Sequence, residues 1–148
     1  MAIKANQNFV YTQNGTTIHK RSLSSLAILS SVTIPGGINV AGVFGNPGQV
    51  PGSSGIDIDT CGNIYVGSSS GVYKFDANLN QIGFAALPFT VFDVTVSTSG
   101  NIIAAGSTTQ TSGVRTGYVQ SIASFAACVK ASFSSGEPKS RIDLPSLS

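Results

Sequence analysis

Two acids, Asp57 and Asp59, stand one residue apart on a stretch whose alternation marks a strand. Residues two apart on a strand share a face. Two carboxylates so placed can coordinate Ca²⁺ or act as an acid/base pair. They also suit structural work, because short acids next to a turn accept hydrogen bonds from backbone amides. We favour the second reading: Asp59 serves the Cys61-Gly62-Asn63 turn and Asp57 serves neighbouring backbone. Thr95 and Ser97 fill the matching places farther along, so the acids are not needed in every copy of the pattern. Little else could do chemistry. His19 is the only histidine, and between Ile18 and Lys20 it reads as a surface residue. Glu137 is the single Glu, and no nucleophile has a base at a recognisable spacing. The Gly-Asn-Pro-Gly at 45–48 lacks the Gly-Lys-Ser/Thr ending and the helix that let such a loop hold phosphate. We therefore expect no enzyme, no metal and no cofactor.

The elements around the two acids repeat. Residues 55–88 read as four short strands: Ile56 and Ile58, then Ile64 to Val66, then Val72 to Phe75, then Ile82 to Leu87. Turn residues separate them. Asn63-Ile64-Tyr65-Val66 matches Asn101-Ile102-Ile103-Ala104 downstream and Asn8-Phe9-Val10-Tyr11 upstream. The preceding strands match as Ile-Asp-Ile-Asp, Val-Thr-Val-Ser and Met-Ala-Ile-Lys. Thr17 to Lys20 and Gly117 to Gln120 take the place of Gly71 to Lys74. Asn63 and Asn101 are 38 residues apart, close to the roughly 40–45 of a four-stranded propeller blade. The expected fold is all-β: three four-stranded antiparallel blades near 1–35, 55–88 and 91–135, with a Gly/Pro-rich loop at 36–54 and a tail or linker at 136–148. On this match Met1 falls where Ile56 and Val94 stand, so the first strand reads as clipped. That points to a piece of a longer chain, or else to a small protein whose first blade starts at once. Asn14-Gly15 signals a type I′ hairpin turn. It also forms a glycosylation sequon with Thr16, and the turn is the better use of it.

Composition narrows the setting. Apolar residues make up 41% of the chain, enough for a core, and charged residues only 9%, against about 25% in an ordinary soluble domain. Ser, Thr, Gly and Asn cover the surface instead, as in secreted and cell-surface β-proteins and virus particles. A net charge of +2 with scattered basic residues argues against nucleic acid. No apolar run has transmembrane length, and no signal peptide is visible. Cys61 lies in the first turn of the second repeat. Cys128 is expected near the start of the fourth strand of the third. Those places lie at inner and outer radii of neighbouring blades, too far for an easy bridge. Free thiols, or bonds to cysteines outside this sequence, are favoured over a Cys61–Cys128 bond.

In a blade, the second turn and the connection between blades open on one face. The loop at 36–54 and the connection at 107–115 therefore share a face, with Asn39, Phe44, Asn46, Gln110 and Arg115 as candidate binding residues. Three blades leave two apolar flanks bare, whereas closed propellers take about four to eight blades. Further blades, a partner protein or a second copy must cover them, and two copies would make a six-bladed ring.

The segments at 54–83 and 92–122 resemble blades of the NHL/SMP-30-like propeller group, above all those of repeat-rich secreted surface proteins of gliding bacteria that carry propeller and PKD-type modules. The resemblance covers most of residues 1–130. It implies export to the cell surface and a non-catalytic role in adhesion or protein interaction. Three alternatives stand beside it: a structural protein of a phage or other particle, a glycan-binding propeller, and a propeller hydrolase or lactonase. A glycan site would have to use Tyr11, Tyr65, Tyr73 and Tyr118, as Trp is absent. A lactonase would need Glu, Asn and Asp ligands gathered at the axis, a set this sequence does not supply.

Overall fold

Alternating apolar residues and frequent turns give eleven strands and no helix among the described residues of the computed structural model, which are 2–35, 55–109, 114–126 and 128. The strands form three open antiparallel meanders. Sheet one holds β1 (Ala2–Ala5), β2 (Phe9–Asn14), β3 (Thr17–Ser22) and β4 (Ile28–Thr33). Sheet two holds β5 (Ile56–Ile58), β6 (Ile64–Gly67), β7 (Gly71–Phe75) and β8 (Gln81–Ala86). Sheet three holds β9 (Thr90–Val96), β10 (Ile102–Thr109) and β11 (Arg115–Ile122).

Pairing registers fix which residues correspond. Lys4, Tyr11 and Lys20 lie abreast in sheet one, Asp57, Tyr65 and Lys74 in sheet two, and Thr95, Ile103 and Ser121 in sheet three. A bulge after Lys20 recurs after Lys74. This corrects the sequence match for the first repeat. Its opening turn is one residue shorter: the Asn6 amide bonds the Phe9 carbonyl, where the Asp59 amide bonds that of Asn63. Tyr11, not Val10, is the partner of Tyr65, and Ile3, not Met1, stands where Ile56 stands. In the third repeat Tyr118, not Gly117, takes the place of Gly71. The hairpin after β2 is also shifted. Gly15 and Thr16 form the turn, with positive φ at Gly15, the II′ arrangement rather than I′.

The sheets stack head to tail. The face of sheet one carrying Tyr11 and Ile18 packs on Ile56, Ile64, Val66, Tyr73, Phe75 and Leu79 of sheet two. The opposite face of sheet two, carrying Tyr65, Val72 and Ala85, packs in the same manner on Val94, Ile102, Ala104 and Ile122 of sheet three. Sheet two is thus covered on both sides, and every residue of β6 and β7 is buried. Burying each of Ile64, Val66, Val72 and Phe75 contributes about 1.5–3 kcal/mol. The first strands, β1, β5 and β9, lie side by side. At Gly55 (φ +54°) a Cβ would come within 2.5 Å of the Asp93 Cα, so glycine permits this approach.

Sheet three has three strands among the described residues. The chain beyond β11 does not begin a fourth strand beside it in the part described. It crosses to sheet two, where Phe125 packs edge-on against Tyr65 at 5.4 Å and over Gly83. The Lys74 Nζ donates to the Ala126 carbonyl at 3.4 Å. This inward path brings Cys128 to Cys61, and the two are disulfide-bonded with Cα atoms 5.9 Å apart. The expectation of free or externally paired thiols is thereby corrected. The separation expected between them does not arise, because Cys128 lies in no strand and follows a segment packed on sheet two.

Candidate functional site

The chemistry-bearing side chains gather where the three first strands meet and at the turns above them. Asp57 is the hub. Its Oδ1 accepts from Lys4 Nζ at 3.0 Å and from the Ile58 amide at 2.9 Å. Its Oδ2 accepts from the Val96 amide at 2.7 Å and from Thr95 Oγ1 at 3.3 Å. One buried carboxylate therefore ties β1, β5 and β9 together. Burial opposes its charge, but the Val96 amide, Lys4 and the Ile58 amide outweigh that and hold the carboxyl below its ordinary range. It is ionised and fully engaged at neutral pH, a poor general acid.

Asp59 organises the turn at 59–63. Its Oδ1 accepts from the Cys61 and Asn63 amides, both at 2.9 Å. Its Oδ2 accepts from Asn63 Nδ2 and from the Tyr65 hydroxyl, both at 3.0 Å. Burial, the Asp59 hydrogen bond and the Asp59 charge all push the Tyr65 hydroxyl up, so it stays a proton donor. Both acids thus do the backbone work expected of them. Asp76 repeats the arrangement at 76–80, accepting from the Asn78 and Asn80 amides and from Asn80 Nδ2. The Asn80 side chain and amide, then the Asn78 amide, hold its carboxyl below the ordinary range despite slight desolvation. At 97–101 Ser97 Oγ takes the Asn101 amide at 3.0 Å. The fourth residue of each turn has positive φ: Gly62, Leu79 and Gly100. The shared spacing, Asp or Ser followed four residues later by Asn, was readable for Asp76 as well. The Lys4 ion pair had no such local signal.

Asp59 and the sulfurs of Cys61 and Cys128 lie within 4.8 Å of one another. The two sulfurs are bonded to each other and the carboxylate is occupied by donors, so this group does not form a cation site. Two clefts flank the disulfide-clasped turn. One, of about 370 Å³, is lined by Asn6, Gln7, Asn8 and Thr60. The other, of about 230 Å³, is lined by Thr60, Thr98, Ser99 and Cys128. Their polar walls are side-chain amides and hydroxyls together with Asp59, whose carboxylate is already engaged by its own turn, and Ile58 and Val96 add apolar surface to the second.

Of the candidate binding residues, Asn39, Phe44, Asn46 and Gln110 lie outside the described residues. Arg115 opens β11 opposite Thr109, at the end of the sheets away from the disulfide. The chain leaves sheet one at that same end, where the Ile34 amide bonds the Thr16 carbonyl. His19 sits on the outer flank of sheet one with Nδ1 2.8 Å from Ser31 Oγ. No helix among the described residues is long and apolar enough to cross a membrane. No protein-family model matches the chain, and no curated protein matches it.

Proposed function

We propose that this chain is a non-catalytic scaffold of β-propeller blades that works at the cell surface in adhesion or protein interaction. One observation carries the reading: the same face-to-face packing occurs twice in succession, with Tyr11, Ile18 and Lys20 in one interface and Tyr65, Val72 and Lys74 in the next. A module that repeats one packing surface suits building and presenting loops. The acids support this, since Asp57, Asp59 and Asp76 are committed to backbone and turn contacts. The disulfide supports a setting outside the reducing cytosol. The test is antibody labelling of intact and permeabilised source cells, with purified particles alongside. Labelling of intact cells is expected. Signal confined to permeabilised cells would overturn the surface assignment, and signal on particles alone would favour a particle protein.

A further inference from the structure

By register, the two outer flanks of the stack correspond to the two sides of an interface that the molecule makes twice internally. In sheet two the turn after β7 places Leu79 at positive φ (65°), and Leu79 is 5% exposed beneath sheet one. In sheet one the turn after β3 is one residue longer and places Leu26 at the corresponding point, also at positive φ (61°). Leu26 is 55% exposed. A non-glycine residue is costly in this conformation. The Ser22–Ala27 and Leu26–Ser22 backbone bonds and the Arg21 guanidinium on the Leu26 carbonyl nevertheless hold it. Ile3, which corresponds to buried Ile56, is 68% exposed on the same flank.

The opposite flank carries the complement. Val119 of β11 corresponds to Val72 and Ile18, each 0% exposed within the stack, yet Val119 is 77% exposed. Charges fit as well. The inner faces of this type carry Lys20 and Lys74, whereas the outer one carries Ser121 at that position. The flank it would meet carries Arg21 where the inner interface has Phe75. A lysine at 121 would oppose that arginine; serine does not.

We propose that the partner covering these flanks is a second copy of this chain. The Val119 flank of each copy packs on the Leu26 flank of the other, and two copies close six sheets into a ring with two-fold symmetry. This rests on the propeller reading and names its partner. Sedimentation velocity over a concentration series tests it. The wild-type chain of 15.1 kDa is expected to run as a dimer. Leu26→Asp keeps a residue that tolerates positive φ, and Val119→Lys sits on an exposed strand position. Each alone is expected to weaken association about tenfold or more. An equimolar mixture of the two is expected to recover it, because the damaged contact then sets Asp against Lys. Circular dichroism and melts of each variant confirm that it folds. A wild type that stays monomeric overturns the proposal, as does a dimer indifferent to both substitutions. So does a monomer destabilised by Val119→Lys, which would give that flank to another segment of the same chain. None of these results bears on surface labelling, so failure here is distinct from failure of the scaffold role.

Discussion

The two sheet interfaces use corresponding residues but are locked differently. Between sheets one and two the lock is non-covalent: Tyr11 Oη donates to the Ala77 carbonyl at 3.0 Å, and Lys20 Nζ reaches Asn78 Oδ1 at 3.4 Å while lying over the Phe9 ring. Between sheets two and three, Tyr65 turns back to Asp59 within its own sheet, and Phe125 packs beside it. The disulfide then fastens that segment. Equivalent side chains therefore do different work depending on what lies next to them. The first interface should open before the second.

The largest effect expected is from the disulfide. Replacing both Cys61 and Cys128 by Ser should cost about 4 kcal/mol in the chain-entropy picture of a loop this long, read by urea unfolding. Amide exchange should speed most in β9–β11, and equal loosening of β1–β4 would erase the contrast. Next come the paired core positions. Ile18→Ala should cost about 3 kcal/mol and Val72→Ala about 2 kcal/mol, the first exposing chiefly the amides of sheet one.

Asp57→Asn touches both interfaces at once, since the carboxylate serves β1 and β9, and should cost about 2 kcal/mol at neutral pH. The sign with pH follows from its lowered pKa. The stabilisation is complete above the ordinary carboxylate value of 3.8 and is lost as pH falls through the lower folded value. Melts of wild type and variant should therefore converge as the pH falls through that lowered folded value; a gap of constant size would mean the charge is immaterial. The smallest effects separate the two tyrosines. Tyr65→Phe removes a bond to a carboxylate and should cost about 1.5 kcal/mol, Tyr11→Phe about 1 kcal/mol. The reverse order would show that Asp59 is held well enough by its turn amides.

Much of the sheet structure was legible because it is local. Alternation located β5 to β8 closely, and the role of Asp59 followed from the Gly62-Asn63 turn beside it. The register of sheet one was not legible. Its first turn lacks one residue, and a slip of one on a strand exchanges its faces. Asn8 offered a false match to Asn63, which aligned Val10 with Tyr65 in place of Tyr11. The path of residues 123–126 and of Cys128 was hidden for another reason. Phe125 and Cys128 meet partners some forty to seventy positions away, Gly83 and Tyr65 for the ring and Cys61 for the sulfur, and no periodicity reports such a crossing. Asn39, Phe44, Asn46 and Gln110 stay expectations on residues outside those described.

A bond from position 61 to position 128 is also a mechanical short cut. Once sheet one has been pulled off β6 and β7, tension from either side of the two cysteines passes across the sulfurs and bypasses the backbone between them, which includes β6 through β11. Only the stretches outside that covalent ring can be drawn out, with sheet one first among them. A protein tethered in flow would lengthen by a bounded amount and then stop.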